Sequence, residues 1–274
     1  MTRFGVFLIV MSTLFGSDVV GAIDLHDADC VIEPHVTVDL STAVDGIVEE
    51  ALVDRGDVVR AGQVLVKLES GVEKSAVAQA RLRVNQTSEM DLAQGRLIFA
   101  RKKLERTMQL FQDNVISEFA KDEVELEVEV AELEVRQATE LRERAELDLQ
   151  RALEILKLRT IVSPIDGVVV ERLVAKGEAI GEQQTVLLKL AQIDPLNVEL
   201  IVPVEDFGPI HVGAVLTVRP GFPVDGSFAA KIDIVDPIID ASSGTFGVRA
   251  ILPNPGLEIP AGLSCTASLD PATN

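Results

Sequence analysis

A sixteen-residue pattern occurs twice in this chain of 274 residues, and the two copies align without a gap. The copies are residues 44–59 (VDGIVEEALVDRGDVV) and residues 165–180 (IDGVVVERLVAKGEAI). Each copy has two glycines at matching positions, which we expect to occupy structural turns: Gly46 and Gly56 in the first copy, Gly167 and Gly177 in the second. Two halves of one small β-domain held apart by an insertion favour a tether or spacer over an enzyme.

Short strands are predicted on both sides of the insertion. Residues 36–70 alternate apolar and polar positions between Gly-containing turns, and residues 159–192 repeat this pattern. We therefore expect a β-domain split between these two ranges. Residues 193–270 contain further short strands separated by Gly- and Pro-rich turns, which predicts a small antiparallel β-barrel.

The insertion, residues 71–158, is rich in helix-forming residues and has no proline. Apolar residues recur at alternating spacings of four and three, which is typical of a coiled-coil seam: Ala93, Leu97, Ala100, Leu104 and Phe111 in the first half, Val124, Val128, Ala131, Val135 and Ala138 in the second. Asp113-Asn114 favours a turn and Ser117 is suited to N-cap the next helix. The fold class is therefore mainly β with a long antiparallel coiled-coil hairpin, whose tip lies near 112–117 and whose arms are about 60 Å long.

The N-terminus indicates export. Residues 1–22 have one basic residue followed by a short apolar run, which is typical of a secretory signal peptide, and an uncleaved membrane anchor is the alternative. Residues 23–35 then form an N-terminal segment. The formal net charge of −19 argues against a nucleic-acid partner, because phosphate binding uses clusters of Lys and Arg.

The two cysteines, Cys30 and Cys265, lie near opposite ends of the exported chain. An oxidising compartment allows a disulfide between them. Two unpaired, partly buried thiols are the preferred interpretation at this point.

The sequence contains no recognisable motif for metal binding, phosphate binding or nucleophilic catalysis. The three histidines, His26, His35 and His211, have no metal-ligand spacing with the cysteines, and the chain has no phosphate-binding or nucleophile motif. We therefore expect no metal site, no cofactor and no enzymatic activity.

The two repeats resemble the halves of a biotinyl or lipoyl carrier domain. In such carriers the modified lysine lies at the turn between the halves, whereas here Leu68-Glu-Ser-Gly71 leads into the helical insertion. Lys74 follows within the helix and is interpreted as a solvated charge. A split lipoyl-like domain, a helical hairpin and a β-barrel together resemble the periplasmic adaptor subunits (membrane fusion proteins, HlyD-like) of tripartite efflux systems. The stretch 235–255 and Ile259-Pro-Ala-Gly-Leu263 are similar to the barrel signature of that family.

The resemblance also implies partners and a docking site. Adaptors that dock onto a TolC-type outer-membrane channel have Arg, Leu and Ser at the hairpin tip with the spacing of Arg106, Leu110 and Ser117. Seam packing of Leu110 and N-capping by Ser117 are the alternatives. The resemblance further implies a periplasmic protein associated with the inner membrane, a transporter partner of the resistance-nodulation-division (RND) class with an ABC transporter second, a homo-oligomeric ring and a three-domain organisation. A lipoyl or biotinyl carrier and a purely structural coiled-coil protein remain alternatives.

Overall fold

A computed structural model describes residues 28–181, 186–208 and 210–269, so the predicted signal peptide lies outside the described residues. Among the described residues, no helix is long and apolar enough to cross a membrane. In chain order the strands and helices are β1 (Ala28–Ser41), β2 (Gly46–Ala51), β3 (Val58–Val59), β4 (Val64–Leu68), α1 (Gly71–Val84), α2 (Ser88–Gln112), α3 (Glu118–Lys157), β5 (Thr160–Val162), β6 (Gly167–Arg172), β7 (Ala179–Ile180), β8 (Val186–Pro203), a short 3-10 helix (Val204–Asp206), β9 (Val215–Pro220), β10 (Phe228–Val235), β11 (Thr245–Leu252) and β12 (Leu263–Leu269).

The chain divides into two compact units, residues 37–192 and the combination of 1–36 with 193–274. In the first unit the two sequence repeats exchange strands. β2 of the first repeat pairs with β7 of the second, and β3 of the first pairs with β6 of the second. The register is symmetric, because Gly46 lies opposite Ile180 while Val59 lies opposite Gly167. The repeat is therefore a two-fold arrangement of strands.

Backbone hydrogen bonds follow the same symmetry at the two turns. Gly56 N–H donates to the Val169 carbonyl at 2.8 Å, and Gly177 N–H donates to the Val48 carbonyl at 2.8 Å. Each turn thus closes on a strand of the other repeat. The apolar side chains between the repeats form the core of this domain: Val48, Val53, Val59, Leu65, Val66, Leu68, Ile161, Val169, Val174, Ile180, Leu187, Leu188 and Leu190.

The insertion between β4 and β5 is a helical hairpin, as predicted. The predicted seam faces inward, with Ala93 and Ala100 of α2 and Val124, Val128, Ala131 and Ala138 of α3 buried. Arg96 Nη1 lies 3.2 Å from Glu134 Oε2 and Lys103 Nζ lies 2.7 Å from Glu127 Oε1, which shows that the arms are antiparallel.

The first arm is not one continuous helix. It breaks at residues 85–87 between α1 and α2, whereas the sequence predicted an unbroken arm. No residue between Ala80 and Ala93 is buried. The break therefore lies in a stretch of the arm that has no buried residue.

The second unit is a β-barrel. Its strands follow the order β1-β12-β9-β10-β11-β8, and β1 also pairs with β8. The barrel core includes Ile32, Leu196, Val198, Leu216, Val218, Ile232, Phe246, Val248 and Leu252. One predicted boundary needs a correction. Residues 28–35, expected in a separate N-terminal segment, belong to β1, and Ala28–Ile32 of this strand pair with β12 of the barrel. β8 runs through Asp194-Pro195, and the two units divide between residues 192 and 193, where the barrel was predicted to begin.

Cys30 and Cys265 form a disulfide, which corrects the preferred interpretation of two unpaired thiols. The cysteines are 235 residues apart in sequence but directly opposite each other in the β1–β12 pair, with their Cα atoms 4.8 Å apart. Both residues are buried. The register of two strands that are distant in sequence brings the two sulfur atoms together. The spacing of the cysteines in the sequence does not indicate this pairing.

Candidate functional site at the hairpin tip

Backbone hydrogen bonds define the turn at the tip of the hairpin. α2 ends at Gln112, and Asn114 adopts the left-handed conformation with φ 54°. Val115 N–H donates to the Leu110 carbonyl at 2.9 Å, and Asn114 N–H donates to the Phe111 carbonyl at 2.9 Å. This is the Schellman arrangement that closes a helix C-terminus. The turn expected from Asp113-Asn114 is confirmed.

Ser117 caps the returning helix. Its backbone is extended, with φ −78° and ψ 158°, and its hydroxyl oxygen accepts a hydrogen bond from Ala120 N–H at 3.3 Å. The cap satisfies one of the free N–H groups at the start of α3. The hydroxyl hydrogen is not used by the cap, so it is able to donate to another group.

Arg106 and Leu110 lie one helical turn apart near the end of α2, and both are exposed. The Leu110 side chain is 44% exposed, while its neighbour Phe111 takes the half-buried position of the seam. Arg106 forms no ion pair within the described part of the chain, whereas Arg96, Arg101 and Lys103 of α2 pair with glutamates of α3. The guanidinium of Arg106 and the isobutyl group of Leu110 are therefore both available for contacts outside the hairpin.

The tip also has exposed apolar residues that the sequence prediction missed. Val115 lies in the turn, and Phe119, in the first turn of α3, is 79% exposed. Phe119 lies outside the seam spacing that begins at Val124. An aromatic residue beside a turn and outside the seam is the sequence signal that identifies it. With Leu110, the tip therefore has three exposed apolar side chains, a composition suited to a protein partner.

At the root of the hairpin the repeat glycines have two different roles. Gly56 and Gly177 have φ values of 92° and 84°, so their predicted turn role is confirmed. Gly46 and Gly167 instead begin β2 and β6, and neither has a positive φ, which corrects the turn prediction for them. A Cβ at Gly46 would lie 2.7 Å from Arg159 Nη1, and one at Gly167 would overlap the backbone of Ala191. Gly167 therefore requires glycine for space, whereas a side chain at Gly46 would displace the guanidinium of Arg159.

The side chain that passes Gly46 holds the hairpin root together. Arg159 Nε and Nη2 donate to Glu73 Oε1 at 3.0 and 2.7 Å, and Nη1 donates to the Asp45 carbonyl at 2.6 Å. Arg159 follows α3, Glu73 lies in the first turn of α1, and Asp45 precedes β2. One guanidinium therefore joins both ends of the hairpin to the β-domain.

We expect Arg159→Met to lower the melting temperature by about 2–4 °C, because it removes three charge-assisted hydrogen bonds at once. The pKa of Glu73 lies below its ordinary value, chiefly through a hydrogen bond from its own backbone N–H and also through Arg159. A lowered carboxyl pKa contributes stability at neutral pH that is lost as the pH falls through the lowered value. The difference between wild type and variant should therefore shrink in acid.

Differential scanning calorimetry at neutral and acidic pH measures this effect. Arg101→Met is the matched control, because it removes one exposed ion pair, with Glu132 at 2.8 Å. Exposed pairs contribute little, so this variant should melt within about 1 °C of wild type. Equal losses in the two variants would show that the contacts of Arg159 have no special importance.

Comparisons with known proteins agree with this architecture. The family model of the CzcB-like barrel-sandwich hybrid domain matches residues 36–191. The chain is 26% identical over 250 residues to the multidrug resistance protein MdtE of Escherichia coli K12, and 27% identical over 248 residues to the nickel-cobalt-cadmium resistance protein NccB of Alcaligenes xylosoxydans xylosoxydans. These matches cover 86% and 89% of the chain but 62% and 57% of the relatives, so the chain spans about three fifths of their length.

A solved structure shares the fold. The crystal structure of MacA from Actinobacillus actinomycetemcomitans superposes with a TM-score of 0.73 at 21% identity, covering 89% of this chain and 77% of that one. The family match spans the repeats and the whole hairpin between them. The chain therefore belongs to the family of proteins with a CzcB-like barrel-sandwich hybrid domain.

Proposed function

We propose that this chain is the periplasmic adaptor of a tripartite export system. In this function it links an inner-membrane transporter to a TolC-type outer-membrane channel. The hairpin reaches toward the channel. The returning arm, α3, has 40 residues and is therefore about 60 Å long.

The observation that carries the proposal is the composition of the tip. Three exposed side chains flank the turn: Arg106, Leu110 and Ser117. Each has a group that is available to a partner. Arg106 supplies a guanidinium, Leu110 an apolar anchor and Ser117 a hydroxyl hydrogen. Such a mixture fits a groove between channel helices, where an apolar side chain is buried and polar groups meet backbone carbonyls or carboxylates.

We infer the class of transporter and the kind of cargo from similarity to known proteins. The relatives named above are a multidrug resistance protein and a nickel-cobalt-cadmium resistance protein, which supports export of small molecules or ions. An RND transporter is the first candidate for the inner-membrane partner and an ABC transporter the second. The proposal includes export by residues 1–22, association with the inner membrane, coiled-coil geometry in the hairpin and assembly of several copies into a ring.

A carrier function has less support. β4 ends at Leu68 and α1 begins at Gly71, so a helix start occupies the place of the carrier turn. Lys74 lies in α1, with its N–H donating to the Ser70 carbonyl at 2.9 Å. Intact-mass measurement of protein from its host tests this alternative, since a lipoyl or biotinyl adduct on Lys74 would favour the carrier.

The docking hypothesis is tested with a photo-crosslinking amino acid at position 110 in host cells. We expect a light-dependent adduct with the outer-membrane channel, identified by mass spectrometry. Arg106→Asp and Leu110→Ser should each reduce export by about tenfold or more, because anchor residues carry most of the affinity of an interface. The melting temperature should stay unchanged, because both side chains are exposed.

Leu147 provides the matched control. It is 65% exposed on α3 but lies thirty residues beyond Ser117, about 45 Å along the helix. The crosslinker at 147 should give no channel adduct, and Leu147→Ser should export normally. Normal export by both tip variants, or the same adducts from 110 and 147, would contradict the proposed docking site.

A further inference from the structure

A cavity lies between β1 and β8 of the barrel, beside the disulfide. Its volume is about 610 Å³, which is within the range of sites for small molecules. Residues of β1 and β8 line it, together with Asp206 of the short 3-10 helix and the disulfide of Cys30 and Cys265. All of these residues belong to the barrel unit, so the cavity is complete within one unit.

The walls of this cavity are mainly apolar, and part of the apolar surface is exposed to solvent. In β1 the buried Cys30 precedes Val31, which is 44% exposed, and in β8 Ile201 is 70% exposed and precedes the buried Val202. Because successive side chains of a strand point to opposite faces, Val31 and Ile201 lie on the outer face of the barrel. An apolar ligand at this place would remove both side chains from water, which stabilises its complex.

Carboxylates determine the charge of the cavity. Asp29, Glu199 and Asp206 line it, and neither Lys nor Arg does. Glu199 is already neutralised by Arg249, whose Nε lies 2.5 Å from its Oε1. The side chains of Asp29 and Asp206 form neither an ion pair nor a hydrogen bond within the described part of the chain. Two unpaired negative charges therefore lie beside an apolar surface.

The ligand that matches both properties is an organic cation with large apolar groups. An anion would be repelled, and a neutral apolar ligand would take water from the carboxylates without replacing its hydrogen bonds. A bare metal ion would need several ligand groups, and the described residues contain no group of three or more His, Cys, Asp or Glu that could hold one.

We propose that this cavity binds a lipophilic organic cation. The apolar groups of the ligand contact Val31 and Ile201, and its charge lies beside Asp29 and Asp206. The role of the site rests on the proposed adaptor function, because such a cation would be cargo of the export system. The adaptor itself, and not only the transporter, then contacts the cargo.

Isothermal titration calorimetry of the full chain tests the site with two ions of the same shape and opposite charge. We expect tetraphenylphosphonium to bind with one ion per chain, and tetraphenylborate not to bind. The formal net charge of −19 attracts any cation over long distances, so the titration is made at about 0.15 M salt, which screens that attraction.

Substitutions in the cavity separate its two properties. Asp29→Asn and Asp206→Asn keep the size of the side chain and remove its charge, so each should weaken tetraphenylphosphonium binding about fivefold, the upper range for an exposed ion pair. Ile201→Ser should weaken it about tenfold or more, because the buried apolar area of the complex is lost. The three side chains are partly or largely exposed, so the melting temperature should not change.

The same chemical changes outside the cavity provide the matched controls. Asp225→Asn and Ile238→Ser alter exposed residues of the same unit that do not line the cavity. Both variants should bind tetraphenylphosphonium like wild type. Equal weakening by cavity and control variants would show general attraction to an acidic surface and would overturn the proposal.

Photolabelling locates the bound cation. A triphenylphosphonium ion with a benzophenone group should label peptides that contain residues 28–31 or 199–206, and excess tetraphenylphosphonium should prevent this labelling. Absence of binding, binding of tetraphenylborate with equal affinity, or labelling elsewhere in the chain would refute the site. A cavity that is covered by a protein segment instead would give neither binding nor labelling.

The outcome is separable from that of the proposed function, because binding is measured on the purified chain and docking in cells. A channel adduct at position 110 without tetraphenylphosphonium binding refutes only the cavity site. Binding that Asp29→Asn and Ile201→Ser weaken, without any adduct at 110, supports the site and refutes the docking function.

Discussion

Gly167→Ala should lower the free energy of unfolding of the β-domain by about 3 kcal/mol, as expected for an overpacked core. The added Cβ would overlap the carbonyl oxygen of Ala191 and lie 2.9 Å from its carbonyl carbon. These are backbone atoms of β8, which pairs with β6 at this point, with Val168 opposite Ala191. The strands must separate to admit the methyl group, because no rotamer change is able to make room. Differential scanning calorimetry measures the loss, since the chain has no Trp or Tyr for fluorescence.

Gly95→Ala is the matched control for this substitution. Gly95 lies within α2, and a Cβ there has no atom within 4 Å. Alanine in an exposed helix interior is more favourable than glycine by up to about 1 kcal/mol. The same chemical change should therefore stabilise the hairpin and destabilise the β-domain. A stable Gly167→Ala variant would contradict the close approach of β6 and β8.

Replacing both cysteines, Cys30→Ser and Cys265→Ser, should cost the barrel about 2–5 kcal/mol. The disulfide joins residues that are 235 positions apart, so its loss frees a very long loop in the unfolded chain. The barrel should melt at a lower temperature in calorimetry. The hairpin root, which lies in the other unit, should keep its own stability.

Reduction of the wild-type protein provides the control. A reducing agent should shift the barrel transition to the same temperature as the double variant, and it should leave the double variant unchanged. Thiol labelling under denaturing, non-reducing conditions counts the free cysteines. Two labelled thiols in protein isolated from its exported location would contradict the disulfide.

Local signals in the sequence identified most elements of this fold. Short strands were predicted within residues 193–270, and β11 and β12 are two of them, because alternating apolar residues lie between strong turn residues. Asp113-Asn114 and Ser117 located the tip, since a left-handed turn and a helix cap depend on one or two side chains. Arg106 and Leu110 were identified by resemblance to the tip pattern of channel-docking adaptors, and the helix geometry makes them neighbours.

The failed predictions involve partners that are distant in the chain. The disulfide depends on the register of β1 against β12, and residues 28–35 belong to the barrel because β12 lies beside them. The break after α1 falls between Ala80 and Ala93, where no side chain is buried, and burial is a property of the folded hairpin.

The sequence by itself determined that two glycine-containing halves enclose a helical hairpin, because repeat spacing and helix periodicity are local properties of the chain. The sequence did not show that the two glycines of each half have different structural roles. Gly56 and Gly177 are turn residues with positive φ, a backbone property that a local motif encodes. At Gly167 the backbone of Ala191 occupies the space that a side chain would take, and at Gly46 the guanidinium of Arg159 lies there. Only the tertiary structure decides this, since those neighbours reach them through strand pairing and packing over long distances in sequence.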